Sequence, residues 1–252
     1  MVTPREEAEL IIKVLLSEFG SIDTSKPRSP PLVDGKEAIQ WLRNNNLPYS
    51  HLEWPGFYIK HYLRHLLDSE LPRKFEHFDP WKRLFLVKGE FSWDIRLKSS
   101  RYESPEVPFV DKSFFENYLE KNEGYGLLVG KTHFKYDKDG SFVKWHEEFK
   151  GGPSEYTKQR IDEERSGKVR KSAFFIGEIL GFYLTREDLK RGLEKGWADP
   201  TFQEGMRQPS GAPRKGKYQL DIQQMKTEKC YLGTWMFNDR PKDFTDDYPE
   251  KD

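Results

Sequence analysis

Residues 91–100, FSWDIRLKSS, carry an acid and two bases on one side of a strand-like run. A period of two sets Asp94, Arg96 and Lys98 against Trp93, Ile95 and Leu97. Hydrolysis of a phosphodiester asks for such a set. A carboxylate holds Mg²⁺, and a nearby cation steadies the attacking water and the developing charge. Asp79, before the preceding strand-like run, is a second acid that could reach the same ion across a hairpin. The same alternation also suits a solvated strand face with a ladder of ion pairs.

Other residues compete for a role. VKWHEEFK contains a literal Glu-x-Lys, Glu148 and Lys150, which is the second choice for the site. His61 and His65 stand four apart on a predicted helix and share a face. Tyr62 follows His61 where a zinc protease has glutamate, so that motif is absent. His133, between Lys131 and Lys135, ends a predicted buried strand and is a candidate phosphate or base contact. Two loops, RSGKVRK (165–171) and RQPSGAPRKGK (207–217), set bases among small residues. Arg165, Lys168, Arg170, Lys171, Arg207, Arg214, Lys215 and Lys217 could follow a phosphate backbone, and arginines also read guanine edges. A solvated loop has the same composition. No Walker loop, dinucleotide glycine fingerprint or GxSxG is present.

The elements that must carry these residues follow from periodicity. Helices are expected over 4–19, 36–45, 53–68, 111–121 and 185–196. Strands are expected over 83–87 and 91–100 as a hairpin, then 125–136 and 141–149. Residues 172–184 read as a strand or a buried helix, 154–171 as helix then loop, and 218–233 as strand-like. The fold class is therefore α/β or α+β, with a mixed central sheet flanked by helices. One domain over 1–237 is expected, with a helical part (1–70), a core (about 75–237) and an acidic, poorly ordered tail (238–252).

Composition narrows the setting. Of 252 residues, 35% are hydrophobic and 15% aromatic, so aromatics must supply much of the core. Forty-two basic residues balance forty-two acidic ones, so only local charge argues for nucleic acid. Cys230 is the single cysteine, which removes disulfide frameworks and cysteine zinc clusters. The first residues lack a basic start and an apolar run, and no stretch is long enough to cross a bilayer. The expectation is a cytoplasmic protein.

The order of these features resembles the PD-(D/E)xK nucleases, which include many type II restriction endonucleases. That family carries an acid near one strand of a hairpin, then Asp or Glu, any residue, and Lys on the next. A helix and a buried strand follow. Asp79 and Asp94 match the two acids, Lys98 or Arg96 the lysine, DKSFFENYLEK the helix and YGLLVG the strand. Glu53 matches a glutamate that many members carry on a preceding helix. The chain departs from the pattern at two points. Arginine stands at 96, with lysine two residues and about 6–7 Å further along; and FDP (78–80) reverses the Pro-Asp order. The likeness spans residues 53–130. It implies a restriction-endonuclease-like core and a Mg²⁺-dependent endonuclease cutting double-stranded DNA at a specific site, as a homodimer. Asp94, Asp79 and Glu53 would hold metal, and Lys98 or Arg96 would orient water. Two alternatives stand beside it: a nucleic-acid-binding protein that does not cut, and a protein-interaction domain.

Overall fold

The computed structural model describes residues 3–20, 32–70, 86–88, 91–100, 104–153, 158, 169–208 and 211–237. In chain order its elements are α1 (Pro4–Phe19), β1 (Val33–Asp34), α2 (Gly35–Asn44), α3 (Trp54–Glu70), β2 (Leu86–Lys88) and β3 (Phe91–Ser99). Then come β4 (Glu106–Asp111), α4 (Lys112–Lys121), β5 (Tyr125–Tyr136), α5 (Ser141–Phe149), β6 (Lys171–Leu184) and α6 (Arg186–Lys195). The last are β7 (Ala198–Phe202), β8 (Lys217–Asp221), α7 (Ile222–Met225) and β9 (Tyr231–Met236).

Local chemistry sets the helix starts. The Thr3 hydroxyl accepts from the Glu6 N–H, and the Glu6 carboxylate accepts from the Thr3 N–H, closing a capping box on α1. Thr185 and Asp188 repeat that device on α6, which stops at left-handed Gly196. Asp111 precedes α4 as expected, yet its side chain makes no capping hydrogen bond.

The main sheet is mixed. Its order is β1-β6-β5-β3-β2, and β9 also pairs with β6. β2 and β3 are antiparallel, β3 and β5 are parallel, and β5 and β6 are antiparallel. A second, antiparallel sheet runs β4-β8-β7. Cores lie on both faces of the main sheet. On one, Ile11, Leu15, Ile39, Ile59 and Leu63 from the first three helices pack on Trp93, Ile95, Leu128 and Ile176. On the other, Leu127, Val129, Leu180 and Phe182 pack against Phe109, Phe115, Trp197 and Leu220. Each fully buried aromatic contributes on the order of 2–3 kcal/mol. Gly126 is a packing requirement, because a Cβ there would lie 2.2 Å from the Trp93 ring.

The mixed sheet flanked by helices is as expected, with three corrections. Residues 141–149 form helix α5, not a strand: Phe142 and His146, four apart, are its buried side. The stretch 218–233 breaks into β8, α7 and β9, and residues 172–184 take the strand alternative. The small sheet was not anticipated, since its strands are short and Pro108 sits in edge strand β4. The expected strand residues 83–85 and the tail from 238 lie outside the described residues. Among the described residues no helix is long and apolar enough to cross a membrane.

Candidate functional site

β3 carries the charges where the alternation put them. Its parallel register with β5 sets Asp94 beside Leu127, Arg96 beside Val129 and Lys98 beside Lys131. That face belongs to the second core, so Asp94 begins the charged row at the margin of an apolar layer. Its side chain is 2% exposed. A carboxylate so buried needs partners, and it has two. Lys60 Nζ lies 2.7 Å from Oδ1, and Arg96 Nε lies 2.7 Å from Oδ2.

Lys60 arrives from the other side of the sheet. α3 buries Ile59, Leu63 and Leu67 in the first core, whereas Asp94 faces the second.

Both contacts are close but poorly angled. Asp94 Oδ1 and Arg96 Nε are buried and make no hydrogen bond of acceptable geometry. Burial alone would raise the Asp94 carboxyl, but Arg96 and Lys60 outweigh it and hold the group below the usual carboxylate range. Burial pushes the Lys60 ammonium down; Asp94 opposes that shift, while Arg96 and Lys217 add to it.

Positive charge continues outward. Burial also lowers Lys217, with Arg96 and Arg214 acting the same way and Asp111 against them. Lys217 opens β8 at the foot of the basic loop. That loop is a small hairpin, in which Gln208 N–H donates to Ala212 O at 2.7 Å and Arg214 N–H to Met206 O at 2.8 Å. Arg207, Arg214 and Lys215 stand exposed on it. Further along β3, Lys98 Nζ donates to Glu106 O at 2.7 Å, and Lys131 pairs with Glu178. Lys98 is thus tied to β4.

The remaining candidates fall elsewhere. Glu53 pairs with Lys171 at 2.6 Å, separate from the Asp94 cluster. Glu148 is exposed on α5, while Lys150 pairs with Glu147 at 2.8 Å. Arg170 is buried and 3.3 Å from Glu147, so Arg170 and Lys171 are engaged within the fold. His133 Nδ1 is 2.8 Å from Ser100 Oγ, and its ring stacks on Phe175. His61 is buried, and burial, then Arg64 and Lys60, push it down to about 4. His65 meets the edge of Trp41. Asp79, Arg165 and Lys168 lie outside the described residues.

Known proteins offer no guide. No family model, curated protein or solved structure matches the chain.

Among the described residues no group of three or more His, Cys, Asp or Glu side chains could hold a metal ion. Asp94 offers a single carboxylate whose two oxygens each lie 2.7 Å from a cation, so on its own it does not make up a magnesium site, and an ion there would need further oxygen ligands. Sequence reasoning missed Lys60. On the helix it flanks the apolar stripe, where a lysine ordinarily runs its stem along the core and its head into water.

Proposed function

We propose that this chain is a Mg²⁺-dependent endonuclease that cuts double-stranded DNA at a specific site, with the reaction centred on Asp94. The observation that carries the reading is one sealed carboxylate with two cations at 2.7 Å. It lies on β3, which pairs with β2 as a hairpin and with β5; β4 of the second sheet stands between β3 and α4, a departure from the order of the nuclease resemblance.

A magnesium ion on Asp94 would act as a Lewis acid on the phosphate and lower the pKa of its bound water. Arg96 and Lys60, which now pair with Asp94, would take the phosphate oxygens as charge builds on them. Hydrolysis breaks one backbone P–O bond and leaves a phosphomonoester and a hydroxyl. Lys217, Arg214, Lys215 and Arg207 continue the positive track to the surface, where a duplex backbone would lie. A homodimer would present two such sites to a palindrome.

The test is incubation of a long mixed-sequence plasmid with Mg²⁺ or EDTA, using wild type and Asp94→Ala. Discrete fragments that need Mg²⁺ and vanish in the variant are the expected result. No cleavage with Mg²⁺ or Mn²⁺ at several salt concentrations would sink the reading. The second reading, a nucleic-acid binder that does not cut, draws on the excess of cations around one acid. It predicts salt-dependent duplex binding without cleavage.

A further inference from the structure

We propose that Ser100 and His133 form a nucleophile and base pair that takes the acyl group of small carboxylic esters, an activity independent of the nuclease reading. The pair lies beyond the far end of β3, six residues and roughly 20 Å along the chain from Asp94. Ser100 follows the last residue of β3, and its N–H donates to Thr132 O at 2.9 Å, which carries the parallel ladder onto β5 one step further. That step brings Ser100 alongside His133, with Oγ 2.8 Å from Nδ1. Both residues are half-buried, so a reagent can reach them.

A serine hydroxyl is a weak nucleophile until a base within hydrogen-bond reach takes its proton. The His133 ring is held for that task. It stacks on buried Phe175, with 4.7 Å between centroids and 18° between planes. Beside it β6 carries a bulge: Lys131 pairs with Glu178 and Thr132 with Ile176, which leaves Gly177 as the extra residue. A Cβ on Gly177 would lie 3.3 Å from His133 Nε2, so the glycine lets the ring keep its place. In the tautomer protonated at Nε2, Nδ1 accepts from the Ser100 hydroxyl. An ester needs only a nucleophile, a proton acceptor and a proton donor, and one hydroxyl with one imidazole supplies all three. Attack forms the Oγ–C bond as the hydroxyl proton passes to Nδ1. The C–O bond to the alcohol then breaks, the imidazolium gives its proton to the departing alkoxide, and an acyl-serine remains. Water, deprotonated by the same nitrogen, attacks the acyl carbon. The Oγ–C bond breaks, Oγ takes the proton back, and the carboxylic acid leaves.

A tagged fluorophosphonate tests the nucleophile on the full chain, with the labelled peptide mapped by mass spectrometry and thermal melting measured on each variant. In that reaction the Oγ–P bond forms, the P–F bond breaks and fluoride leaves. Wild type is expected to carry the label on Ser100, and Ser100→Ala to lose it. His133→Phe keeps an aromatic ring against Phe175, and His133→Gln keeps a hydrogen-bonding side chain beside Ser100. Both are expected to melt like wild type and to label about tenfold or more slowly, because each lacks the base. With p-nitrophenyl acetate, wild type is expected to release p-nitrophenol about tenfold or more faster than Ser100→Ala. A merely structural hydrogen bond gives neither result. A wild type unlabelled at Ser100, a labelling rate unchanged in His133→Gln, or equal p-nitrophenol release from wild type and Ser100→Ala overturns the assignment.

Discussion

Two buried clusters in this protein have the same formula, one carboxylate between two cations, and opposite solvent exposure. At Asp94 the acid is sealed at 2% exposure, while Lys60 and Arg96 are 18% and 29% exposed. At Glu147 the acid is 15% exposed, and Lys150 and Arg170 are sealed at 8% and 9%. Beyond Arg170 the next charge is another acid, Glu53; beyond Arg96 it is another base, Lys217. The Glu147 cluster looks inward and is close to neutralised. The Asp94 cluster has more exposed cation side chains, although burial still lowers the Lys60 ammonium, and Lys217 adds positive charge with Asp111 opposed to it. On the proposed reading the difference separates a structural ion pair from a site, and neither residue type nor burial alone would reveal it.

The sharpest way to break this contrast is to neutralise each acid. Asp94→Asn should lower cleavage by about a thousandfold or more, because the carboxylate at the centre of the proposed site is lost. Its stability cost should be about 3 kcal/mol, since a sealed carboxylate between two cations is neutralised. Glu147→Gln should leave cleavage within about threefold and cost about 3 kcal/mol in urea unfolding, because it strands two sealed cations. Comparable activity losses in the two variants would erase the distinction.

A packing change comes next. Gly126→Ala drives a methyl into Trp93, the strand neighbour of Asp94. It should cost about 2–3 kcal/mol by overpacking. Cleavage should also fall, because the ring can yield only by shifting β3.

A smaller effect concerns acid. His61 follows Lys60 on α3, and its folded-state value of about 4 lies below its ordinary 6.5. The unfolded chain therefore binds the proton first, so stability is full above pH 6.5 and falls as the pH drops from 6.5 toward 4. Asp94 acts in the same direction lower down: its depressed carboxyl stabilises the fold above the ordinary carboxylate value, and this is lost as the pH falls through the folded value. Melting curves across this range should flatten between pH 6.5 and 4 in His61→Leu. An unchanged slope would remove His61 from the account.

The smallest effect is expected at the exposed loop. Arg214→Ala should reduce the slope of log affinity against log salt by about one for duplex DNA and weaken binding alike across sequences. An unchanged slope would take the loop off the backbone track.

The sequence made β3 and β5 plain, because strict alternation and an unbroken apolar run are local signals. The charged face of β3 was equally plain. Its partner was not: Lys60 stands 34 positions upstream in a helix, and helical periodicity marks only the stripe beside it. α5 was misread because Phe142, Val143 and Trp145 are good strand formers, while the burial that decides the matter comes from packing against Trp54 and α2. Arg170 and Lys171 looked like a solvated basic run because Glu147 and Glu53, which engage them, are remote in sequence.

β6 accepts three partners: β5 along one edge, and β1 and β9 along the other. Residues 231–236 are the last of these to leave the ribosome. Until then the stretch Glu178–Phe182 of β6, which β9 will cover, presents an open row of amides and carbonyls. An open strand edge is a template for another copy. Expression hosts, truncations and fusion tags that delay β9 should thus raise the aggregated fraction, even where the Asp94 site is already assembled.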